Sequence, residues 1–181
     1  MMYVKIPLER VGVLVGKNGE IKKKIEDETG TSLVIDSKSG DVTVDDSNSQ
    51  DPILTLKSAD MVKAIGRGFS PEKALKLLSD EVFFTLIDIR DYTGKNQKHV
   101  RRVRARLIGT KGKTRKLIEE LTGVSVSIYG NTVGVIGESL EMNIAVSAIE
   151  MLLKGSEHSA VYGFLEKKRR DIELAEMDFL N

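Results

Sequence analysis

The same 24-residue pattern occurs twice in this chain, 93 residues apart, and this repeat limits the possible folds more than any other feature. The copies are VLVGKNGEIKKKIEDETGTSLVID, which starts at Val13, and RLIGTKGKTRKLIEELTGVSVSIY, which starts at Arg106. Both contain two glycines separated by two residues, a later Thr-Gly, and then an alternating apolar segment typical of a β-strand. We therefore expect two small domains of one fold, arranged in tandem.

Around each copy the sequence predicts a strand, a helix, the glycine loop, a second helix, two strands and a closing helix. The opening strands are expected at 3–7 and 82–88. The helix-start signal Ser70-Pro71-Glu72 predicts the closing helix of the first copy, preceded by a helical stretch at 58–69. The closing helix of the second copy is expected at 138–153. One of its faces is predicted to contain Ile144, Ser147, Ala148 and Met151.

The predicted domain boundaries follow from these elements. The first domain is expected to cover 1–79 and the second 80–155. The remaining residues, 156–181, are predicted to form a C-terminal helix that docks on the second domain through Val161, Phe164 and Leu165.

The charge of the chain is unevenly distributed. The net charge at pH 7 is +1, but the segment from Lys95 to Lys116 contains ten cations and no acid, so the rest of the chain carries −9. A solvated helix normally mixes both signs, because like charges four residues apart destabilise it. We therefore expect a polyanion to bind this segment. Its cations are Lys95, Lys98, Arg101, Arg102, Arg104, Arg106, Lys111, Lys113, Arg115 and Lys116.

The loop of the second copy, 109–112, looks like a nucleotide-binding P-loop, but its spacing is wrong. A P-loop has four residues between its first glycine and the Gly-Lys-Ser/Thr, and here only Thr110 and Lys111 intervene. Glycines permit positive φ and a close approach of the backbone to a ligand, and the helix start that follows offers unpaired N–H groups and a positive dipole end. These features predict binding of a phosphate that belongs to a polymer backbone.

Both copies resemble the type I KH domain, an RNA- and single-stranded-DNA-binding module. The resemblance rests on 15–19 with Thr29-Gly30, and on 108–112 with Thr122-Gly123. It implies an α+β fold of two βααββα units, each with a three-stranded antiparallel sheet and helices on one face. In the KH family the Gly-x-x-Gly loop clamps the backbone of about four nucleotides. Both copies differ from the usual motif at Lys22 and Arg115, where an aliphatic residue is common.

The resemblance, together with the charge run, implies a set of RNA contacts. In the second copy these are Gly109, Thr110, Lys111, Gly112, Lys113, Arg115 and Lys116 at the loop, and Lys98, Arg101, Arg102, Arg104 and Arg106 on the preceding helix. In the first copy they are Gly16, Lys17, Asn18, Gly19 and Lys22. Candidates for the apolar groove that receives the bases, or for the core beside it, are Leu107, Ile108, Val126 and Ile128.

Over nearly its whole length the chain resembles the shorter, archaeal-type members of the ribosome-assembly family called Dim-two or partner-of-Nob-one. The segments that carry this likeness, besides the two loops, are ADMVKAIGRGFSPEKALKLL at 59–78 and AVYGFLEK at 160–167. The resemblance implies binding to unpaired rRNA near the 3′ end of the small-subunit, 16S-type molecule. It also implies a processing nuclease or an rRNA dimethyltransferase as a protein partner, and no enzymatic activity.

Two alternatives remain open on the sequence. The first copy mixes lysines with acids, so either RNA binding or protein docking is compatible with it. If both copies docked proteins, the whole chain would be a KH-fold protein-binding scaffold in a ribosome-assembly or exosome-type complex. An enzyme that acts on phosphates is the other class, but the sequence has no P-loop, no histidine pair and no carboxylate cluster of metal-site type.

Composition predicts the remaining properties. The chain has no cysteine, which excludes disulfides and thiolate metal sites, and neither a metal nor a cofactor is expected. It shows no signal peptide and no apolar run of about 18 residues that would span a membrane. A cytoplasmic location is therefore expected, and the protein is expected to be a monomer.

Overall fold

The computed structural model describes residues Met1–Asn181, and the chain divides into two compact units, Met1–Phe84 and Thr85–Asn181. The elements of the first sheet and its helices are β1 (Met2–Lys5), α1 (Leu8–Val15), α2 (Glu20–Thr29), β2 (Ser32–Ile35), β3 (Asp41–Asp45), α3 (Pro52–Gly66) and α4 (Pro71–Leu75). Those of the second are β4 (Val82–Asp88), α5 (Arg90–Thr93), α6 (Gln97–Ile108), α7 (Lys113–Thr122), β5 (Ser125–Tyr129), β6 (Thr132–Glu138), α8 (Ser139–Leu153) and α9 (His158–Leu180).

Each sheet has three antiparallel strands, in the order β1-β3-β2 and β4-β6-β5. The last strand in sequence lies in the centre of each sheet, so its alternate side chains are the best protected. Val42 and Val44 of β3 and Val133 and Val135 of β6 are buried. The predicted α+β fold of two type I KH units is confirmed.

The repeated Thr-Gly ends the second helix of each unit. The hydroxyl of Thr29 donates to the carbonyl of Ile25 over 2.7 Å, and that of Thr122 donates to the carbonyl of Ile118 over 2.6 Å. The glycine that follows adopts a left-handed conformation and stops the helix. The chain then turns directly into β2 or β5.

The closing helix of the first unit differs from the prediction. Instead of starting at Ser70, it is α3, which starts at Pro52 with the Asp51 side chain accepting from the amide of Ile53. Ser70 and Pro71 begin only the short helix α4. Both sites have the same start signal, a polar cap followed by proline, but α3 carries the long apolar face that the sheet requires. The opening strand also ends earlier than predicted, at Lys5, because Pro7 is the N-cap of α1.

One hydrophobic core organises the second unit. It includes Val100, Val103 and Leu107 of α6 and, from α8, Ala145 and Ile149. The predicted face of α8 was partly wrong, because Ser147 is exposed. The buried residues of that helix are Met142, Ile144, Ala145, Ala148, Ile149, Leu152 and Leu153.

Helix α9 packs against this core mainly through its first half, and Ile172, further along, is a partly buried residue beside it. Val161 and Leu165 are completely buried, and Phe164 packs against the core from the side. Further along the helix Leu174, Met177 and Phe179 are exposed. The first half of α9 is therefore part of the second unit, and it brings new side chains to the glycine loop.

Candidate nucleic-acid interface

The two glycine loops have nearly the same backbone conformation. In the second unit α6 ends at Gly109 (φ 76°, ψ 172°), Lys111 has φ 55°, and Gly112 has φ 77° and ψ 13°. The corresponding values in the first unit are φ 76° and ψ 176° at Gly16 and φ 56° at Asn18. A side-chain-bearing residue rarely adopts such a φ, and strain of this kind is often found at ligand sites.

The two glycines of the second loop are required for different reasons. A Cβ on Gly109 would lie 2.2 Å from the Oγ1 of Thr114 and 2.7 Å from its backbone nitrogen. The φ and ψ of Gly109 also fall in a region that is essentially restricted to glycine. A Cβ on Gly112 would meet only the Cε of Lys116, at 3.9 Å. Gly109 therefore lets two helices approach, whereas Gly112 leaves open space over the loop.

The start of α7 is an uncapped helix end. No side chain accepts from its first amides, and its first turn contains no acid. The positive end of the helix dipole thus faces solvent at Gly112, with the exposed side chains of Lys111 and Lys113 beside it. This arrangement is suited to a phosphate.

Three of the ten cations of the basic segment are engaged within the protein. Arg104 donates to the carbonyl of Gly130 over 3.0 Å. Arg106 donates to the carbonyl of Leu152 over 2.9 Å and also to that of Ser156. Arg115 pairs with Glu119. The other seven are exposed and form no salt bridge or side-chain hydrogen bond within the chain: Lys95, Lys98, Arg101, Arg102, Lys111, Lys113 and Lys116.

Arg115 and Lys22, the departures from the usual KH motif, have the same structural role in both units. Arg115 pairs with Glu119, and Lys22 lies 3.8 Å from Glu26. Each glutamate also accepts a hydrogen bond from a backbone amide of the neighbouring strand. Glu119 accepts from Val126 over 3.2 Å, and Glu26 accepts from Leu33 over 2.8 Å. The cation thus fixes a glutamate that ties helix to strand.

The four groove candidates divide into two pairs. Leu107 and Val126 belong to the hydrophobic core, with exposures of 1% and 4%, so they present almost no surface to a base. Ile108 and Ile128 are partly exposed. Only the latter two are available to line a groove next to the loop.

The loop of the first unit has a different electrostatic environment. Lys17 and Asn18 are exposed, but Glu20 occupies the first position of α2 and complements the helix dipole itself. Arg10, the only cation of α1, donates to the carbonyls of Ile65 and Phe69, both over 2.8 Å. This loop therefore has less positive charge available than its counterpart.

Sequence reasoning missed the contribution of α9. His158 and Tyr162 line a pocket of about 430 Å³ together with loop residues Gly109 and Thr110. The hydroxyl of Tyr162 is 2.9 Å from that of Thr114, and the Nε2 of His158 is 3.0 Å from the carbonyl oxygen of Arg106. The segment AVYGFLEK at 160–167 was the available signal, since it contains this tyrosine.

No group of three or more histidine, cysteine or acidic residues is arranged to hold a metal ion. None of the helices combines the length and the apolar character needed to cross a membrane.

The known proteins that this chain resembles decide its family. Residues 1–65 match the KH domain model, and 83–170 match the model of the eukaryotic-type KH domain, type I. The chain is 49% identical to KH domain-containing protein MJ0443 of Methanocaldococcus jannaschii, over 97% of this chain and 77% of that protein. It is 46% identical to the crystal structure of Dim2p from Pyrococcus horikoshii, with a TM-score of 0.84, covering 92% of this chain and 98% of that one. This chain belongs to the Pno1/Dim2 family of tandem KH proteins.

Other members of the family extend the comparison. The pre-rRNA-processing protein pno1 of Aspergillus fumigatus is 35% identical over 61% of this chain, which covers only 45% of the fungal protein. The Pyrococcus Dim2p has also been solved in a complex with a/eIF2α and rRNA. That structure matches this chain with a TM-score of 0.86 at 46% identity, over 94% of each chain. The predicted family is confirmed.

Proposed function

We propose that this protein binds rRNA in the assembly of the small ribosomal subunit, and that its second unit clamps an unpaired segment near the 3′ end. Membership of the Pno1/Dim2 family supports rRNA as the ligand and ribosome assembly as the process, since members of the family include a pre-rRNA-processing protein and a Dim2p solved with rRNA. The uncapped start of α7, surrounded by cations without internal partners, supports the choice of the second unit. This last observation carries the proposal.

In the proposed clamp the RNA strand lies across the glycine loop. A phosphate sits over Gly112 at the start of α7, in the open space that the missing Cβ leaves there. Lys111 and Lys113 neutralise it and its neighbour, and the bases turn toward Ile108 and Ile128. The free cations on α6, Lys98, Arg101 and Arg102, contact RNA on either side. Held in this way, the segment is kept from premature pairing or is presented to processing enzymes.

The dependence of rRNA affinity on salt tests the clamp. If about four phosphates are neutralised, the logarithm of the affinity should fall with the logarithm of the salt concentration with a slope of about −3. Filter binding of an unpaired rRNA fragment at several salt concentrations measures this slope. A slope near zero would contradict a phosphate clamp.

Two arginines of α6 should behave differently, although they look alike in the sequence. Arg101 is exposed and unpaired, so Arg101→Ala should lower rRNA affinity several-fold without altering stability. Arg106 donates to two carbonyls at the turn between α8 and α9, so Arg106→Ala should lower the free energy of unfolding by about 1–3 kcal/mol. Urea unfolding and filter binding on both variants separate the effects. Equal losses of affinity at equal stability would argue against this division.

The first unit is proposed to contribute less to RNA binding. Its loop has Glu20 at the helix start, and its free cations there are Lys17 and Lys23, since Lys22 pairs with Glu26. Docking of a protein is the alternative role for this unit. A processing nuclease or a dimethyltransferase is the partner class proposed for the whole protein, which we propose to be a cytoplasmic monomer.

The proposed role involves binding without catalysis. An incubation of the purified protein with labelled rRNA and Mg²⁺ or Mn²⁺ should leave the RNA intact. Cleavage that follows the protein through purification would contradict this part of the proposal.

A further inference from the structure

Helix α9 and the glycine loop border the pocket that His158 and Tyr162 line. It lies beside α6 and is here called the α9 pocket. Its volume is about 430 Å³, which is comparable to the space that one nucleotide needs. Its lining residues come from α6, the loop, the start of α7 and α9: Arg102, Ala105, Arg106, Gly109, Thr110, Lys113, Thr114, His158 and Tyr162.

The α9 pocket lies on a different side of the loop from the apolar groove. Residues of a helix follow each other at about 100°, so Arg102, Ala105 and Arg106 share one side of α6. Arg104 points roughly the opposite way, toward the carbonyl of Gly130 in the turn between β5 and β6. The partly exposed Ile108 is also off the pocket side. An RNA strand that lies in the apolar groove therefore leaves the α9 pocket empty.

The pocket combines groups that suit a phosphate and a base. Arg102 and Lys113 are exposed cations without internal partners. The rings of His158 and Tyr162 are partly exposed, with their centroids 6.0 Å apart and their planes tilted by 55°. Cations that neutralise a phosphate next to aromatic rings that stack on a base are the usual elements of a single-strand site.

Internal hydrogen bonds hold these rings in place. The hydroxyl of Tyr162 is bonded to that of the buried Thr114, in the first turn of α7. His158 is bonded to the carbonyl oxygen of Arg106, whose guanidinium in turn holds the α8–α9 turn. The rings are thus preorganised, so little side-chain entropy would be lost on binding.

The surroundings favour a polymer over a free nucleotide. Gly109, Thr110 and Lys113 belong both to the proposed clamp and to the α9 pocket. On its other side the pocket adjoins a second one of about 390 Å³, with which it shares Arg102 and Arg106 and which adds His99 and Lys154. Tyr92 lines that second pocket, and the pKa of its hydroxyl is raised, first by burial and then by Glu150. An RNA strand can therefore enter the α9 pocket at the glycine loop and continue along α6.

We infer that the α9 pocket is an additional nucleotide subsite, which binds the nucleotide next to the segment clamped by the loop. The phosphate lies between Arg102 and Lys113, and the base lies against Tyr162 and His158. This inference rests on the proposed function, because the strand must first lie on the glycine loop. It assigns to α9 a part in RNA binding, in addition to its packing role.

Oligonucleotide length provides the test. The ratio of the affinities of an octauridylate and a tetrauridylate measures how much the four added nucleotides contribute to binding. Tyr162→Leu should lower this ratio about tenfold, since it removes one aromatic stacking partner. Arg102→Ala, a change at an exposed side chain, should lower the ratio in the same direction. Tyr3→Leu, at an exposed tyrosine of the first unit, is the matched control and should leave the ratio unchanged.

Photocrosslinking locates the contact directly. An octanucleotide containing 5-iodouridine should crosslink to the peptide that carries His158 and Tyr162, as identified by mass spectrometry. An unchanged affinity ratio in both pocket variants, without that crosslink, would overturn the inference while the clamp stands. Tyr162-dependent binding of AMP that the octanucleotide does not displace would also overturn it. If replacing Thr110 and Lys111 by aspartate affects neither oligonucleotide, the proposed function itself fails.

Discussion

Replacing both Thr110 and Lys111 by aspartate should lower the affinity for unpaired rRNA at least about 100-fold. Two carboxylates would then face the phosphate at the open start of α7, and a like-charge contact costs several kcal/mol. The fold should survive, because both side chains are exposed and aspartate tolerates the positive φ of position 111 comparatively well. Filter binding, with circular dichroism as the check on folding, measures the effect.

The first unit offers a matched control for this experiment. Lys17 and Asn18 occupy the corresponding positions, and Asn18 has the same positive φ. Changing both to aspartate should lower the affinity only a few-fold, since Glu20 already places a carboxylate at that helix start. A larger loss from the first loop than from the second would reverse the assignment of the main RNA site.

Gly109→Ala should destabilise the second unit by about 3 kcal/mol or more. The new Cβ would lie 2.2 Å from the Oγ1 of Thr114 and 2.7 Å from its backbone nitrogen, and the backbone there cannot easily move. The backbone conformation of Gly109, φ 76° and ψ 172°, adds a strain of about 1–3 kcal/mol for any other residue. Amide hydrogen exchange in α7 reports on this unit specifically and should become faster.

Gly112→Ala is the control for that prediction. Its Cβ would meet no atom closer than 3.9 Å, so only the left-handed conformation is penalised, by about 1–2 kcal/mol. Its stability loss should therefore be clearly smaller than that of Gly109→Ala. Similar losses at the two glycines would show that the packing of Gly109 against Thr114 is not what requires glycine there.

Most of the fold could be predicted because its signals are local. Two glycines separated by two residues, followed at a fixed distance by Thr-Gly, set the loop, the helix that follows and the end of that helix. The closing helix of the first unit was misplaced because Asp51-Pro52 and Ser70-Pro71 are equally good start signals. Only packing against the sheet makes α3 the long helix and α4 the short one.

The candidate site was predicted less completely, for a related reason. Leu107 and Val126 have the residue types of a groove, but their exposures of 1% and 4% place them in the core. A helical or strand period shows which residues share a face, yet it cannot show how deeply that face is covered. Ile108 and Ile128 remain partly exposed at the surface.

The sequence by itself determined that there are two copies of one unit, where their glycine loops lie, and that the second is surrounded by cations. These properties depend on backbone conformations and charges that neighbouring residues define. Only the tertiary structure decided which cations are free and that α9 reaches the loop. The partners of Arg106 are carbonyls 46 and 50 residues away, and Tyr162 meets Thr114 across 48 residues. Contacts over such separations arise from packing of the whole unit, which no local pattern encodes.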